Sequence, residues 1–291
     1  MVLTVDELFA NTAPVTEDIN VNKRYKTIQK IGSGAFSKVW EAVDVQTKQT
    51  VAMKVSYSRF TNNALEKEFT TLRKLNNPHI ISPIAFYYDR RELVTTHMII
   101  PFMRRDLYAR VVEQNLRMSD EDLRKLVIDI ADAIKHIQSK DLVHRDIKPE
   151  NILIDDDGNY VLCDFGNAEH ENEMSLRGLK GSLFYMAPEV AGAFVGRHTT
   201  PFAIGKPVDI FSFGMTLHNV ATQTLGGVNP GSKTDAVFAE EISMFDMSHQ
   251  IDGIDDRPDT FKDLLRMMLT RSPVARITVD EILDHDFVTR K

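Results

Sequence analysis

The chain has 291 residues, 43% of them hydrophobic and 26% charged, with a formal net charge of −7. This is enough apolar material for one large domain or two lobes, and the charge content is ordinary for a soluble protein. The mildly acidic balance argues against general nucleic-acid binding, and no apolar run approaches the ~18 residues needed to span a bilayer.

A single cysteine, Cys163, cannot form an internal disulfide, which points to a reducing compartment. The first twenty residues carry no basic segment and no long apolar core, so no secretory leader is expected. Val2 stands where N-myristoylation needs glycine. A cytoplasmic and/or nuclear location follows, with no membrane association.

Residues 1–24 read as a polar N-terminal extension with one apolar patch at Leu8 and Phe9. From Tyr25, "YKTIQKI", "KVWEAVD" and "TVAMKVS" alternate as strands. "NNALEKEFTTLRKL" changes to helical spacing, with Leu65, Phe69, Leu72 and Leu75 near one face. "ISPIAFYYD" and "LVTTHMIIPFM" return to strand. The first hundred residues are therefore mostly antiparallel β with one helix.

The remainder is mainly helical. "SDEDLRKLVIDIADAIKHIQSKD" opens with Ser119 as N-cap and Asp122 at the capping-box position. Leu123, Leu126, Val127, Ile130, Ile134 and Ile137 form its apolar stripe. "NILIDDDGNYVLCDFG" reads as a hairpin turning at Asp157–Gly158. Its aspartates lack the ligand spacing and terminal glutamate of a calcium loop. There are no internal repeats and no low-complexity tracts.

Two motifs suggest phosphate chemistry. In "IGSGAFSKV" two glycines precede a strand, which lets backbone turn closely over phosphate oxygens. Such glycines also mark ordinary hairpins, but a helix, which a dinucleotide fold needs next, does not follow. "VAMK" then places Lys54 on a strand, where a lysine in isolation is more often a solvated edge residue; Glu68 on the following helix offers the alternative of a pair that holds Lys54 against an anionic ligand.

With "HRDIKPEN", "DFG" and "APE" following in order, the chain resembles the eukaryotic protein kinase family over about residues 25–288. The resemblance implies an α+β, bilobal fold: a small β-rich N-lobe with one main helix, about 25–102, and a larger mostly helical C-lobe, about 103–288. Residues 289–291 form the C-terminal end. It further implies transfer of the γ-phosphoryl group of ATP, with Mg²⁺ (or Mn²⁺ in its place), to protein hydroxyls. The alternative is a pseudokinase or scaffold that binds without transfer. Lys54, Asp146 and Asp164, which such proteins usually lose in part, are all present.

The family's roles map onto this sequence as follows. Lys54 holds the α and β phosphates and Glu68 orients it. Asp146 takes the substrate hydroxyl's proton, Lys148 stabilises the transferring group, and Asn151 and Asp164 bind magnesium. The nucleotide is enclosed by Ile31, Gly32, Ser33, Gly34, Ala35, Phe36, Ser37, Lys38 and Val39, with Ala52, Leu153 and Cys163. Ile100 is the gatekeeper. Pro101 offers a C=O and Met103 an N–H to adenine, because proline keeps its carbonyl. Asp106 reaches the ribose or, as the plainer reading, caps the helix that follows. Cys163 is either a small buried hydrophobe or a thiol reactive toward electrophiles in the nucleotide site.

Lys148 and Ser182 resemble the serine/threonine branch; dual specificity stays open. Glu189 and Arg276 match a buried ion pair, Asp209 an aspartate beneath the catalytic loop, and Phe165, His144 and Leu72 a hydrophobic spine. Ser37, Phe211 and Ser272 depart from the usual residues without touching the transfer chemistry, and the segment 190–208 is longer than usual. Protein substrates are the implied partners, with a monomer as the oligomeric state. The subfamily and substrate sequence are not assigned. For Arg145, two sources of neutralising charge are open: a phosphate on Ser175, or a carboxylate among Glu169, Glu171 and Glu173. The glutamates would otherwise only solvate a loop.

Overall fold

The computed structural model describes residues 21–34, 37–89, 95–173, 181–196, 205–224, 231 and 233–290. Ala35, Phe36, Ser175, Leu8 and Phe9, and the part of the long segment at 197–204, lie outside them. The chain divides into two units. The first comprises Met1–Asn76 and Ile81–Phe102, the second Asn77–Ile80 and Met103–Lys291.

In the first unit, a short helix α1 (Val21–Arg24) leads into strands β1 (Tyr25–Ser33), β2 (Lys38–Asp44) and β3 (Thr50–Ser56). Helix α2 (Arg59–Leu72) follows, then β4 (Ala85–Asp89) and β5 (Thr95–Pro101). The strands form one antiparallel sheet in the order β1-β2-β3-β5-β4. Its core joins Ala42, Val51, Met53, Val55, Tyr87 and Ile99 to Val21 and Tyr25. Val21 therefore belongs to the folded body, although the sequence pattern assigns it to the extension. Arg24 explains the docking: its guanidinium donates to Asp44 Oδ2 at 3.2 Å and to the Tyr87 hydroxyl at 3.1 Å.

Helix α2 starts three residues before the apolar spacing indicates. Ser58 is the N-cap; it accepts from Thr61 N–H, while Thr61 Oγ1 accepts from Ser58 N–H, a reciprocal cap that satisfies two otherwise orphaned donors. Leu65, Phe69 and Leu72 face inward as expected, and Phe69 stacks on Phe86 with ring centroids 4.9 Å apart.

The second unit is mostly helical, as the fold class requires. It begins with β6 (Arg105–Asp106) and a helical stretch ending in a wide π-type turn over Ala109–Glu113. Helix α3 (Asp120–Gln138) carries the expected Ser119–Asp122 capping box. Leu123, Leu126, Val127, Ile130, Ile134 and Ile137 are all fully buried, each worth roughly 1.5–3 kcal/mol.

Next come β7 (Leu142–Val143), β8 (Ile152–Ile154), β9 (Tyr160–Leu162) and β10 (Glu169–His170). Strands β8 and β9 form the predicted hairpin with β6 alongside. Asp155 holds its turn, accepting from Asp157 N–H at 3.0 Å and Asn159 N–H at 2.7 Å, with Gly158 left-handed. Strand β10 pairs antiparallel with β7, Glu169 opposite Val143.

Helices α4 (Pro188–Phe194), α5 (Pro207–Thr222), α6 (Asp235–Met244), α7 (Ser248–Asp252), α8 (Asp259–Met268), α9 (Val279–Asp284) and α10 (Asp286–Thr289) complete the unit. Every residue of α5 from Val208 to Ala221 is buried. A helix apolar all round belongs in the centre of a core, so the charged Asp209 within it needs partners.

Candidate active site

The first unit supplies a lysine and a helix carboxylate. Lys54 lies on β3, opposite Val39 of β2 and Met98 of β5. Its Nζ donates to both oxygens of Glu68 on α2, at 2.9 and 2.8 Å. The side chains are 13% and 4% exposed, so the pair lies in a setting where charge attraction is weakly screened. Ala52, also on β3, is buried and stands opposite Ile100, while Val51 stands opposite Pro101. Ile31, Gly32 and Ser33 end β1, and Lys38 and Val39 begin β2. Between them Gly34 N–H donates to Ser37 O at 2.9 Å.

The second unit supplies a carboxylate with three polar neighbours. Asp146 follows β7 in a segment whose backbone is pinned from below. Asp209 of α5 accepts from His144 N–H at 2.7 Å and Arg145 N–H at 2.8 Å. These bonds answer the burial problem of Asp209. Burial raises its pKa, and the two backbone donors with the nearby His144 and Arg145 oppose that rise.

Asp146 Oδ1 accepts from Ser182 N–H at 2.9 Å, and Oδ2 from Lys148 Nζ at 3.0 Å. Lys148 Nζ also donates to Ser182 Oγ at 2.7 Å. Asn151 Nδ2 donates to Asp146 O at 2.8 Å and to Oδ2 at 3.2 Å. A carboxylate, an ammonium, an amide and a hydroxyl from two distant stretches of sequence are thus gathered at one point. A small pocket bordered by Asp146 and Ser182 is also lined by Tyr185, Met186, Val190 and Ser212.

The second unit also holds the candidate metal ligands. Cys163, the residue before Asp164, donates its N–H to Asn151 O at 2.9 Å. Asn151 and Asp164 therefore stand on adjacent, hydrogen-bonded backbone. Asn151 commits Nδ2 to Asp146, which makes its oxygen the candidate ligand atom; Asp164 adds a carboxylate. Two hard oxygen donors fit a magnesium ion that takes its other ligands from phosphate and water. Asp164 is left-handed at φ 61° and starts the turn Phe165–Asn167. Phe165 is buried edge-on against His144, centroids 4.6 Å apart. Cys163 is half-buried, and Leu153 pairs with Val161 within the hairpin. Met103 opens the longer segment of the second unit. Asp106 Oδ1 accepts from Ala109 N–H at 2.7 Å, the capping geometry of the plainer reading.

Arg145 is 8% exposed and left-handed at φ 70°. Its guanidinium donates to Glu169 of β10. Of the three glutamates, Glu169 thus meets the arginine. Glu171 turns elsewhere, accepting from Lys206 N–H at 3.2 Å at the start of α5. It does more than solvate a loop. Arg276 donates bidentately to Glu189 at 2.7 and 2.9 Å, as expected.

Two features escape sequence reading. Gly181 is left-handed at φ +92°, and a Cβ there would lie 2.3 Å from Arg145 O, so only glycine lets Ser182 reach Asp146. Its signal was the glycine before Ser182. Asn62, in the first turn of α2, bonds to hydroxyls of two strands; no local pattern marks it.

The protein kinase domain model matches residues 25–288, and the chain belongs to that family. Among its relatives, a probable serine/threonine-protein kinase pXi of Dictyostelium discoideum is 28% identical over 274 residues, covering 92% of this chain and 36% of that protein. A carbon catabolite-derepressing protein kinase of Candida tropicalis is 30% identical over 289 residues, covering 94% and 43%. The phosphorylase b kinase gamma catalytic chain, liver/testis isoform, of Bos taurus is 30% identical over 281 residues, covering 92% and 67%. The chain spans less than half the length of the first two.

Proposed function

We propose that the chain is a serine/threonine protein kinase that transfers the γ-phosphoryl group of ATP to hydroxyls of protein substrates. The observation that carries this reading is the Asp146–Lys148–Ser182 set. Phosphoryl transfer needs little covalent help; it needs an oriented nucleophile and neutralised charge. Asp146 orients the substrate hydroxyl and takes its proton as the oxygen–phosphorus bond forms and the bond to ADP breaks. Lys148 places a positive charge beside the transferring group. Asn151 and Asp164 would hold magnesium, which would supply charge neutralisation on the phosphates.

Lys54, kept in place by Glu68, binds the α and β phosphates. Backbone at Gly32 and Gly34 approaches the phosphates closely. Val39 and Ala52 offer apolar surface to adenine, and Pro101 a carbonyl. The bond from Asp106 Oδ1 to Ala109 leaves ribose recognition to Oδ2. No helix among the described residues is long and apolar enough to cross a membrane. A cytoplasmic and/or nuclear location for the chain is part of the proposal.

A peptide-array assay with Mg·ATP tests it, with Asp146→Asn as control. Labelling of serine and threonine peptides by the wild type and not by the variant is expected. Nucleotide binding without any transfer would instead identify a binding module, and equal incorporation by both proteins would refute Asp146 as the base.

A further inference from the structure

Ser56 and Thr96 are a register pair on β3 and β5, and both are fully buried. A buried hydroxyl is costly unless it is bonded. Both converge on one acceptor. Asn62 Oδ1 accepts from Ser56 Oγ at 2.9 Å and from Thr96 Oγ1 at 3.1 Å. Ser56 Oγ also lies 2.5 Å from Thr61 Oγ1, which closes the reciprocal cap with Ser58. The first turn of α2 is therefore fixed to two neighbouring strands by directional bonds.

The placement matters because of what lies along the same two elements. Ser56 and Lys54 are two residues apart on β3 and so project to the same face. Thr61 and Glu68 are seven apart on α2, two turns along one face. One strand face and one helix face thus meet twice: Ser56 with Thr61 and Asn62, and Lys54 with Glu68. Apolar contacts at Leu65, Phe69 and Leu72 hold α2 against the sheet but are non-directional. They tolerate a small roll or slide of the helix that would separate Glu68 from Lys54.

We infer that Asn62 is a positioning residue: by bridging Ser56 and Thr96 it fixes the rotation and height of α2, and so holds Glu68 on Lys54. The inference deepens the kinase reading, because Lys54 is the proposed phosphate ligand. Its geometry stands without ATP, however, so it can be tested apart from that reading.

The test is the rate at which an amine-selective acylating reagent labels Lys54 in the nucleotide-free chain, read by peptide mass spectrometry. Glu68→Gln sets the rate for a released lysine. Asn62→Leu should label at nearly that rate, and Asn62→Asp, which keeps an acceptor oxygen, at close to the wild-type rate. In Mg·ATP assays the Asn62→Leu variant should raise the KM for ATP by about tenfold, with the KM for peptide little changed.

Asn62→Leu strips the shared acceptor from two buried hydroxyls, leaving Ser56 its contact with Thr61, and is at risk of not folding. The triple variant Ser56→Ala/Asn62→Leu/Thr96→Val removes all three polar groups together, which is far better tolerated. A triple variant that melts like wild type yet labels fast supports the inference. One that labels like wild type overturns it. Absence of transfer by the wild type, with the labelling pattern intact, would refute the kinase reading and leave Asn62's role standing.

Discussion

Arg145 and Glu169 form a buried ion pair in the second unit, their side chains 5% and 10% exposed. Arg145 directly precedes Asp146, and its own N–H is held by Asp209. Neutralising one member of such a pair leaves the other charge buried without that partner, at a cost of about 3–5 kcal/mol. Glu169→Gln is therefore expected to lower kcat by about tenfold or more, as Asp146 follows its neighbour. Because the carboxylate is already there, wild-type protein shown by intact mass to carry no phosphate should transfer at full rate, and Ser175→Ala should match it. Phosphate-free protein that stays silent until Ser175 is modified would sink this.

Asp209 accepts two backbone bonds that no other described group supplies. Asp209→Ala orphans two buried N–H groups, each costing about 1–3 kcal/mol. Thermal unfolding should show a clear drop in Tm. Transfer should fall further than the folded fraction does, because Asp146 loses its support. Activity falling only in proportion to the folded fraction would count against the anchoring role.

His218, on α5, is 3% exposed, and its Nδ1 has no hydrogen-bond partner among the described residues. Burial lowers its pKa from 6.5 to about 4. Between those values the unfolded chain binds the extra proton, so stability rises with pH. The contribution is complete above 6.5 and is lost as pH falls toward about 4, roughly 3 kcal/mol in all. His218→Leu should flatten that part of the profile. Parallel denaturation profiles for wild type and variant between pH 4 and 6.5 would exclude the effect.

Glu189 and Arg276 are 3% and 0% exposed at their side chains. Arg276→Met alone should cost about 3–5 kcal/mol, by leaving a buried carboxylate unpaired, whereas adding Glu189→Leu should recover much of it. A double-mutant cycle in urea measures the coupling. Additive losses would show that the pair acts as two separate contacts, Arg276 through its bonds to Pro207 O and Thr270 O.

Local periodicity carried most of the fold. The stripe on α3 is written within nineteen residues of helix and its Ser119 cap directly before them, and the Lys54–Glu68 pair within one strand and the next helix. Where the sequence is mute, the cause is physical. The cap of α2 uses Thr61 where glutamate or glutamine is the usual signal, so the helix start is hidden. Strand β10 has two residues, too few for a period to show which glutamate turns inward. Arg24 meets Asp44 and Tyr87 across 20 and 63 residues, and Val21 follows it into the core. Contacts at that range depend on the assembled sheet, not on the neighbouring letters.

Gly181 has a consequence of a different kind. The stretch bearing Ser182 and the stretch bearing Asp146 touch backbone to backbone, with no room between them for a methyl group. Their separation is set by van der Waals radii and peptide geometry, which no side-chain rotamer alters. Exchanging neighbouring residues tunes charge and shape around the carboxylate while this spacing persists. The site is calibrated by an absence of atoms, and a single added carbon at position 181 would reset it.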